Sequence, residues 1–312
     1  MSEAKLDRTI ARFQAKIDSG SYYEAHQTLR TITNRYVKSK QYPEACEILY
    51  QGSSILTKNK QYASSSDLIS YLIQVYIEAG ITSENRDAKL KLIELIGNLP
   101  DSEKSLIDLS KQSLNWSKDG NHNKFGDCDL HDLFGSKFLN IIGTTENDDK
   151  LFAIAELHLI LGTHESLPKY ILFLFNWFKT NKQVDAGLFL SRAIINYSYL
   201  KNLKFVQESL NKYLILLKTY NSNYQEISHD AVSILFFEEY PLINFLQMLV
   251  LTLGKQNCSN KFLGLYNEYK TMLEEYGIVN SIEYIGKLYF DLNIGKPKSG
   301  NMMANLLGDF FK

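Results

Sequence analysis

The chain has 312 residues, 45% of them hydrophobic and 22% charged, with only five prolines. That composition suits an ordered protein with a large core or an extended array, not a disordered one. Thirty-four basic residues balance thirty-five acidic ones, so there is no overall basic field to draw in nucleic acid or an anionic membrane.

Leu6, Ile10, Phe13 and Ile17 share one face of a first helix, and Gly20 is placed to end it in a left-handed cap. A second helix buries Tyr22, Ala25, Leu29, Ile32 and Tyr36, and a third opens near Tyr42 and buries Ala45 and Leu49. Tyr22-Tyr23-Glu24-Ala25 is echoed by Tyr42-Pro43-Glu44-Ala45 twenty residues on. One helix per 20 residues makes a hairpin per roughly 40, the period of helix-pair solenoids. The spacing predicts further helices over 61–79, 84–98, 102–118, 128–142, 150–161, 167–180, 183–201, 203–219, 241–254, 258–276 and 279–292. Ala231–Phe237 reads as a strand or small hairpin because it is short, rich in β-formers and stopped by Glu238, Glu239 and Pro241. Asn221–Asp230 reads as polar and irregular, and Gly295–Gly300 as a linker into an apolar tail. The expected organisation is a helical half over 1–150, a second over 151–294 and a flexible tail over 295–312.

Three scattered cysteines, Cys46, Cys128 and Cys258, point to a reducing compartment. Met1–Phe13 is too charged for a signal peptide. The apolar runs at 170–178 and 242–253 fall short of the roughly 20 residues that cross a bilayer. The expected location is the cytosol. Chemistry is not legible: there is no phosphate-binding glycine motif and no nucleophile elbow. The His164-Glu165 start of a zinc-protease helix meets Pro168 where the second histidine belongs, and Cys128 with His131 is half a zinc site without its other half. No catalytic residue, cofactor or metal is expected.

The surface is more informative. Lys5, Arg8, Arg12 and Lys16 form one stripe of the first helix, away from its apolar face. On the second helix Tyr23, His26, Gln27 and Arg30 flank the buried face, with Arg35, Lys38 and Lys40 beyond. Tyrosine and arginine dominate binding hot spots. The edge is either a solvated stripe or a dock for an acidic protein. Ile234-Leu235-Phe236-Phe237 and Tyr240 are either core or a second docking patch.

Arg8-Thr9-Ile10, Arg12-Phe13, the run Gly20-x-Tyr22-Tyr23-Glu24-Ala25-His26-Gln27-Thr28-Leu29-Arg30-Thr31 and Asn34-Arg35-Tyr36-Val37 resemble the N-terminal repeats of the Golgi-to-ER traffic protein four family. The likeness continues through Ser66-Asp67-Leu68-Ile69, Lys124-Phe125-Gly126-Asp127, Leu161–Ser166, Phe236-Phe237-Glu238 and Leu242–Leu246. The family is the helical scaffold of the pathway for guided entry of tail-anchored proteins. The resemblance implies an all-α protein, a right-handed α-solenoid of TPR-like hairpins, acting as a non-enzymatic adaptor. Its N-terminal half would dock the targeting ATPase through Arg12, Lys16, Tyr23, His26, Leu29, Arg30 and Arg35. Asp67 matches an acid that regulates the ATPase, while Gln74 stands where a second acid is expected. The C-terminal half would hold a ubiquitin-like partner, and indirectly a TPR co-chaperone, through Ile234, Phe236, Phe237, Tyr240, Leu242, Phe245 and Leu246. The rival readings are a proteasome-lid type subunit, which needs a winged helix after its repeats, and a prenyltransferase subunit, whose Pro-x-Asn-Tyr-like signature is missing around Trp116 and Trp177.

Overall fold

A computed structural model of the chain describes residues 3–118, 123–143, 148–229 and 232–294. Among the described residues it contains fourteen helices and a single two-stranded sheet. The expected tail from 295 lies outside them. The chain divides into two compact units, Met1–Thr163 and His164–Lys312, so the break falls after the expected 150. The helix that begins at Asp148 belongs to the first unit because it packs along the helix before it.

The first unit holds α1 (Glu3–Asp18), α2 (Tyr22–Lys38), α3 (Tyr42–Lys58), α4 (Tyr62–Glu78), α5 (Arg86–Gly97), α6 (Leu106–Ser117), α7 (Cys128–Asn140) and α8 (Asp148–Leu161). Apart from α5 and α6, successive helices pack on one another, and from α1 to α7 each also packs on the next but one, the stacked hairpins of an α-solenoid. The 20-residue echo runs one repeat further than the sequence pattern suggests. Tyr22, Tyr42 and Tyr62 each open a helix. Ala25, Ala45 and Ser65 are fully buried at the same place in each, and the Ser65 hydroxyl, which hides the third copy, donates to the Ser53 carbonyl at 3.0 Å.

The turns repeat too. Gly20, Lys40, Lys60 and Gly80 all take left-handed backbone, with φ of 77°, 57°, 60° and 69°. In each turn the next amide reaches back to a carbonyl five residues earlier, Ser21 to Lys16, Gln41 to Tyr36, Gln61 to Leu56 and Ile81 to Tyr76, the closure of a Schellman cap. Glycine takes this conformation freely, whereas a lysine there carries about 1 kcal/mol of strain. Lys40→Gly and Lys60→Gly are each expected to stabilise the first unit by about 0.5 kcal/mol after the entropy that glycine adds to the unfolded chain. Denaturant midpoints check this, and unchanged or lowered values would contradict it.

Between α7 and α8 lies a buried histidine pair, one residue from each helix. The Phe125 carbonyl can only accept, so His131 Nε2 donates to it, at 3.1 Å. His131 Nδ1 is then left to accept from His158 Nδ1–H at 3.0 Å. The Phe134 and Phe138 rings lie 5.7 and 5.6 Å from the His158 ring. Burial pushes His131 down to about 4 and His158 well below the ordinary histidine value. Both folded values lie below the unfolded one, so the contribution is complete above about pH 6.5 and is lost as pH falls towards 4. For His131 alone that is about 3 kcal/mol. Unfolding of the first unit, followed by hydrogen exchange, should therefore show a smaller loss between pH 6.5 and 4 in a His131→Leu/His158→Leu double variant. An equal loss in both proteins would contradict the pairing.

The second unit holds α9 (Ser166–Thr180), α10 (Ala186–Tyr199), α11 (Leu203–Tyr220), β1 (Gln225–His229), β2 (Val232–Phe236), α12 (Pro241–Leu253), α13 (Ser259–Glu275) and α14 (Val279–Phe290). The expected strand is the second arm of an antiparallel hairpin in which Gln225 faces Phe236 and Ile227 faces Ile234. Its first arm lies inside the segment that reads as irregular, because Gln-Glu-Ile-Ser-His offers one apolar residue and no β-rich run. Tyr170, Phe178, Tyr197, Tyr213, Phe237 and Phe245 are fully buried. The helix α12 packs on α10, α11, α13 and β2, which explains why its sequence is apolar on nearly every side.

Candidate docking sites

In the first unit the even helices meet one another, α2 on α4 and α4 on α6, while the odd helices α3, α5 and α7 meet separately. The basic edge lies along α1, α2 and α4. Helix α1 presents Arg12 to solvent, and Lys16 reaches α2, with its Nζ 3.3 Å from Thr28 Oγ1 and 3.6 Å from Glu24. On α2, Tyr23 is 76% exposed. One turn on, His26 Nε2 donates to Asp67 Oδ2 of α4 at 2.8 Å. The Arg30 guanidinium donates to the same carboxylate oxygen and lies 5.2 Å above the Tyr71 ring. Carboxylate and ring hold the guanidinium in one pose while leaving it half exposed, which lowers the entropy cost of using it in a contact. Arg35 is exposed in the last turn of α2. Gln74 is exposed on α4, seven residues after Asp67.

His26, Arg30 and Asp67 thus converge, and Lys16 is tied to α2. No hydrogen bond or ion pair joins Arg12 or Arg35 to that cluster among the described residues. Two of the expected contact residues need correction. Leu29 is 1% exposed and fills the space above Gly52 of α3, where a Cβ would come within 2.8 Å of its Cδ2; it fixes α2 on α3 and touches no solvent. His26 is buried to 8% exposure, with its imidazole committed to Asp67, so it positions the cluster from beneath. Tyr71 is the residue that sequence reasoning missed: it lies four positions after Asp67 and its face carries Arg30.

The second expected patch is mostly interior. Phe237, Leu242, Phe245 and Leu246 have no exposure and Tyr240 has 9%, because α12 is wrapped by its neighbours; none of the five presents a free surface. Ile234 is half-buried and Phe236 is 37% exposed. They share a face of the hairpin with Ile227, which lies opposite Ile234 and is 45% exposed. Side chains on a strand alternate, so this face stands clear of α12. The other edge of β2 is held by two amides. Gln247 accepts from the Leu235 amide at 2.8 Å and donates to the Leu235 carbonyl at 2.7 Å. Asn244 does the same for Phe237, at 2.9 and 2.7 Å. The amides take the place of a third strand and fix the hairpin on the helix.

No helix is long and apolar enough to cross a membrane, and no group of three or more His, Cys, Asp or Glu side chains could hold a metal ion, among the described residues. Comparison with known proteins agrees with the fold. The chain is 32% identical to Golgi to ER traffic protein 4 of Aspergillus fumigatus over 98% of its length and 89% of that protein. It is 29% identical to the Schizosaccharomyces pombe protein of the same name, over 98% and 96% of the two chains. It superposes on the crystal structure of C. therm. Get4 with a TM-score of 0.82 at 26% identity, covering 99% of this chain and 96% of that one. The model of the family described as Golgi to ER traffic protein 4 matches residues 39–311, and the chain belongs to that family.

Proposed function

We propose that this chain is a non-enzymatic cytosolic scaffold in the delivery of tail-anchored membrane proteins. The targeting ATPase docks on the α1–α2–α4 edge, and a ubiquitin-like partner, which recruits a TPR co-chaperone, docks on the hairpin of the second unit. The observation that carries this reading is the half-exposed Arg30, fixed over the Tyr71 ring by Asp67, on the same helix as the exposed Tyr23 two turns earlier. A pre-set cation next to a large amphipathic ring is the form of a protein-docking hot spot. Family membership supplies the pathway. The exposed Ile227 and Phe236, with the half-buried Ile234 between them, supply an apolar face for the second partner.

The two docks are separable by experiment. With both partners purified, Ile227→Asp/Phe236→Asp is expected to lose the ubiquitin-like protein in a pull-down, by at least tenfold in affinity, and to retain the ATPase. Both side chains stand on the open face of the hairpin, so melting should change little. Full retention of the ubiquitin-like partner would remove the hairpin from the proposal.

A further inference from the structure

The face built by the odd helices of the first unit carries a groove that neither dock uses. It has a volume of about 530 Å³ and lies between α3 and α5, with Tyr50, Gln51 and Ser54 on one wall and Glu94 and Asn98 on the other. That volume is in the range of sites that take a small ligand or a few side chains. The groove sits at the C-terminal ends of two helices, since α3 ends at Lys58 and α5 at Gly97. Helix C-termini carry partial negative charge and favour cations.

The charges around it are unevenly matched. Lys91 is committed: its Nζ lies 3.1 Å from Glu47 and 3.2 Å from Asp87, and it stacks 5.2 Å from the Tyr50 ring. Glu94, three residues on, accepts only the Tyr50 hydroxyl at 2.7 Å, through Oε2, and has no cationic partner among the described residues. A carboxylate has lone pairs for about four hydrogen bonds. Gln51 donates to Glu47 at 2.7 Å, which leaves its carbonyl oxygen to accept from a ligand. The lone cation on the rim, Lys58, is exposed.

We propose that this groove receives a lysine or arginine side chain from an extended segment of a partner protein, with the cation on Glu94 and the amides of Gln51 and Asn98 on the partner's backbone. Two helix ends and one under-neutralised carboxylate select for positive charge. The lining mixes hydroxyls and amides with the apolar surface of Tyr50 and Ile55, which suits an extended peptide that pairs through its backbone as well as its side chain. The site does not depend on the ATPase edge, which lies along α1, α2 and α4.

The test is titration of the full chain with an acetylated and amidated Gly-Ser-Arg-Ser-Gly peptide, followed by backbone amide chemical shifts. Saturable shifts confined to 50–58 and 94–98 are expected. Glu94→Gln, which keeps an acceptor for Tyr50 but removes the charge, should weaken binding at least tenfold. Lys58→Ala should tighten it by removing a like charge. Shifts scattered over acidic residues elsewhere, no saturation, or equal affinity in Glu94→Gln with an unchanged melting curve would each overturn the proposal. A peptide with glutamate in place of arginine should produce no saturable shift, and binding of that peptide in the groove would overturn it as well.

Discussion

Asp185→Ala is expected to cost the second unit about 4 kcal/mol at pH 5 and to lower its melting midpoint by roughly 10 °C. Asp185 caps two helices at once. One carboxylate oxygen accepts the Gly187 amide of α10 at 2.7 Å, and the other accepts the Leu242 amide of α12 at 2.9 Å. Both amides are buried, and each left unpaired costs about 1–3 kcal/mol. The junction cannot relax to pair them otherwise. Gly187 lies so close to α12 that a Cβ there would meet the Ile243 nitrogen at 2.7 Å. Asp185→Asn should also destabilise, because one of its two groups would then be an NH2 facing an amide N–H. The carboxyl gives the effect a pH signature. Burial pushes Asp185 up to about 6 against the two amide hydrogen bonds, which pull the other way. The folded value exceeds the unfolded one, so this contribution is complete below about pH 4 and declines as pH rises through 6. The penalty of the alanine variant should therefore be larger at pH 5 than at pH 8. A penalty that grows with pH would contradict this account.

The same junction shows what a sequence conceals. Helices are legible wherever apolar residues recur at helical spacing, and all fourteen fall close to their expected spans. Asp185 lies 57 residues before Leu242, and no local pattern joins them. The burial of most of the second patch is concealed for a related reason. An apolar run such as Leu242–Leu246 has the same composition whether it faces solvent or is wrapped by four elements, and only tertiary packing decides. In the first unit the charged residues of α1 and α2 were readable as a stripe. Their pairing with Asp67, 37 residues after Arg30, was not readable from spacing. The placement of Leu29 follows from the repeat itself: Leu29, Leu49 and Ile69 are equivalent and all buried. The third copy that reveals this is blurred by Ser65.

Arg12→Glu with Arg30→Glu is expected to weaken binding of the targeting ATPase by a factor of about 30 or more, with helicity unchanged. Each reversal replaces an attraction to an acidic partner with a repulsion, on the order of 1–2 kcal/mol at a half-exposed site. Arg30→Glu adds a second effect, because it sets a carboxylate against Asp67, which keeps only His26. Among the described residues Arg12 makes no side-chain hydrogen bond or ion pair that its reversal would break. A fall of the same size in Arg12→Glu alone would therefore reflect the lost field, and a much larger fall in Arg30→Glu would reflect the cluster. The ubiquitin-like partner should bind both variants as before, which separates a lost dock from a lost fold.

Charge steering acts on the rate of encounter and is screened over about 10 Å at 0.1 M salt. The most direct measurement is the association rate with the purified ATPase between 20 and about 300 mM salt, for the wild type and the double reversal. The edge predicts a rate that falls steeply with salt in the wild type and is slow and nearly flat in the variant. Matching rates and matching salt slopes in the two proteins would show that the ATPase docks elsewhere.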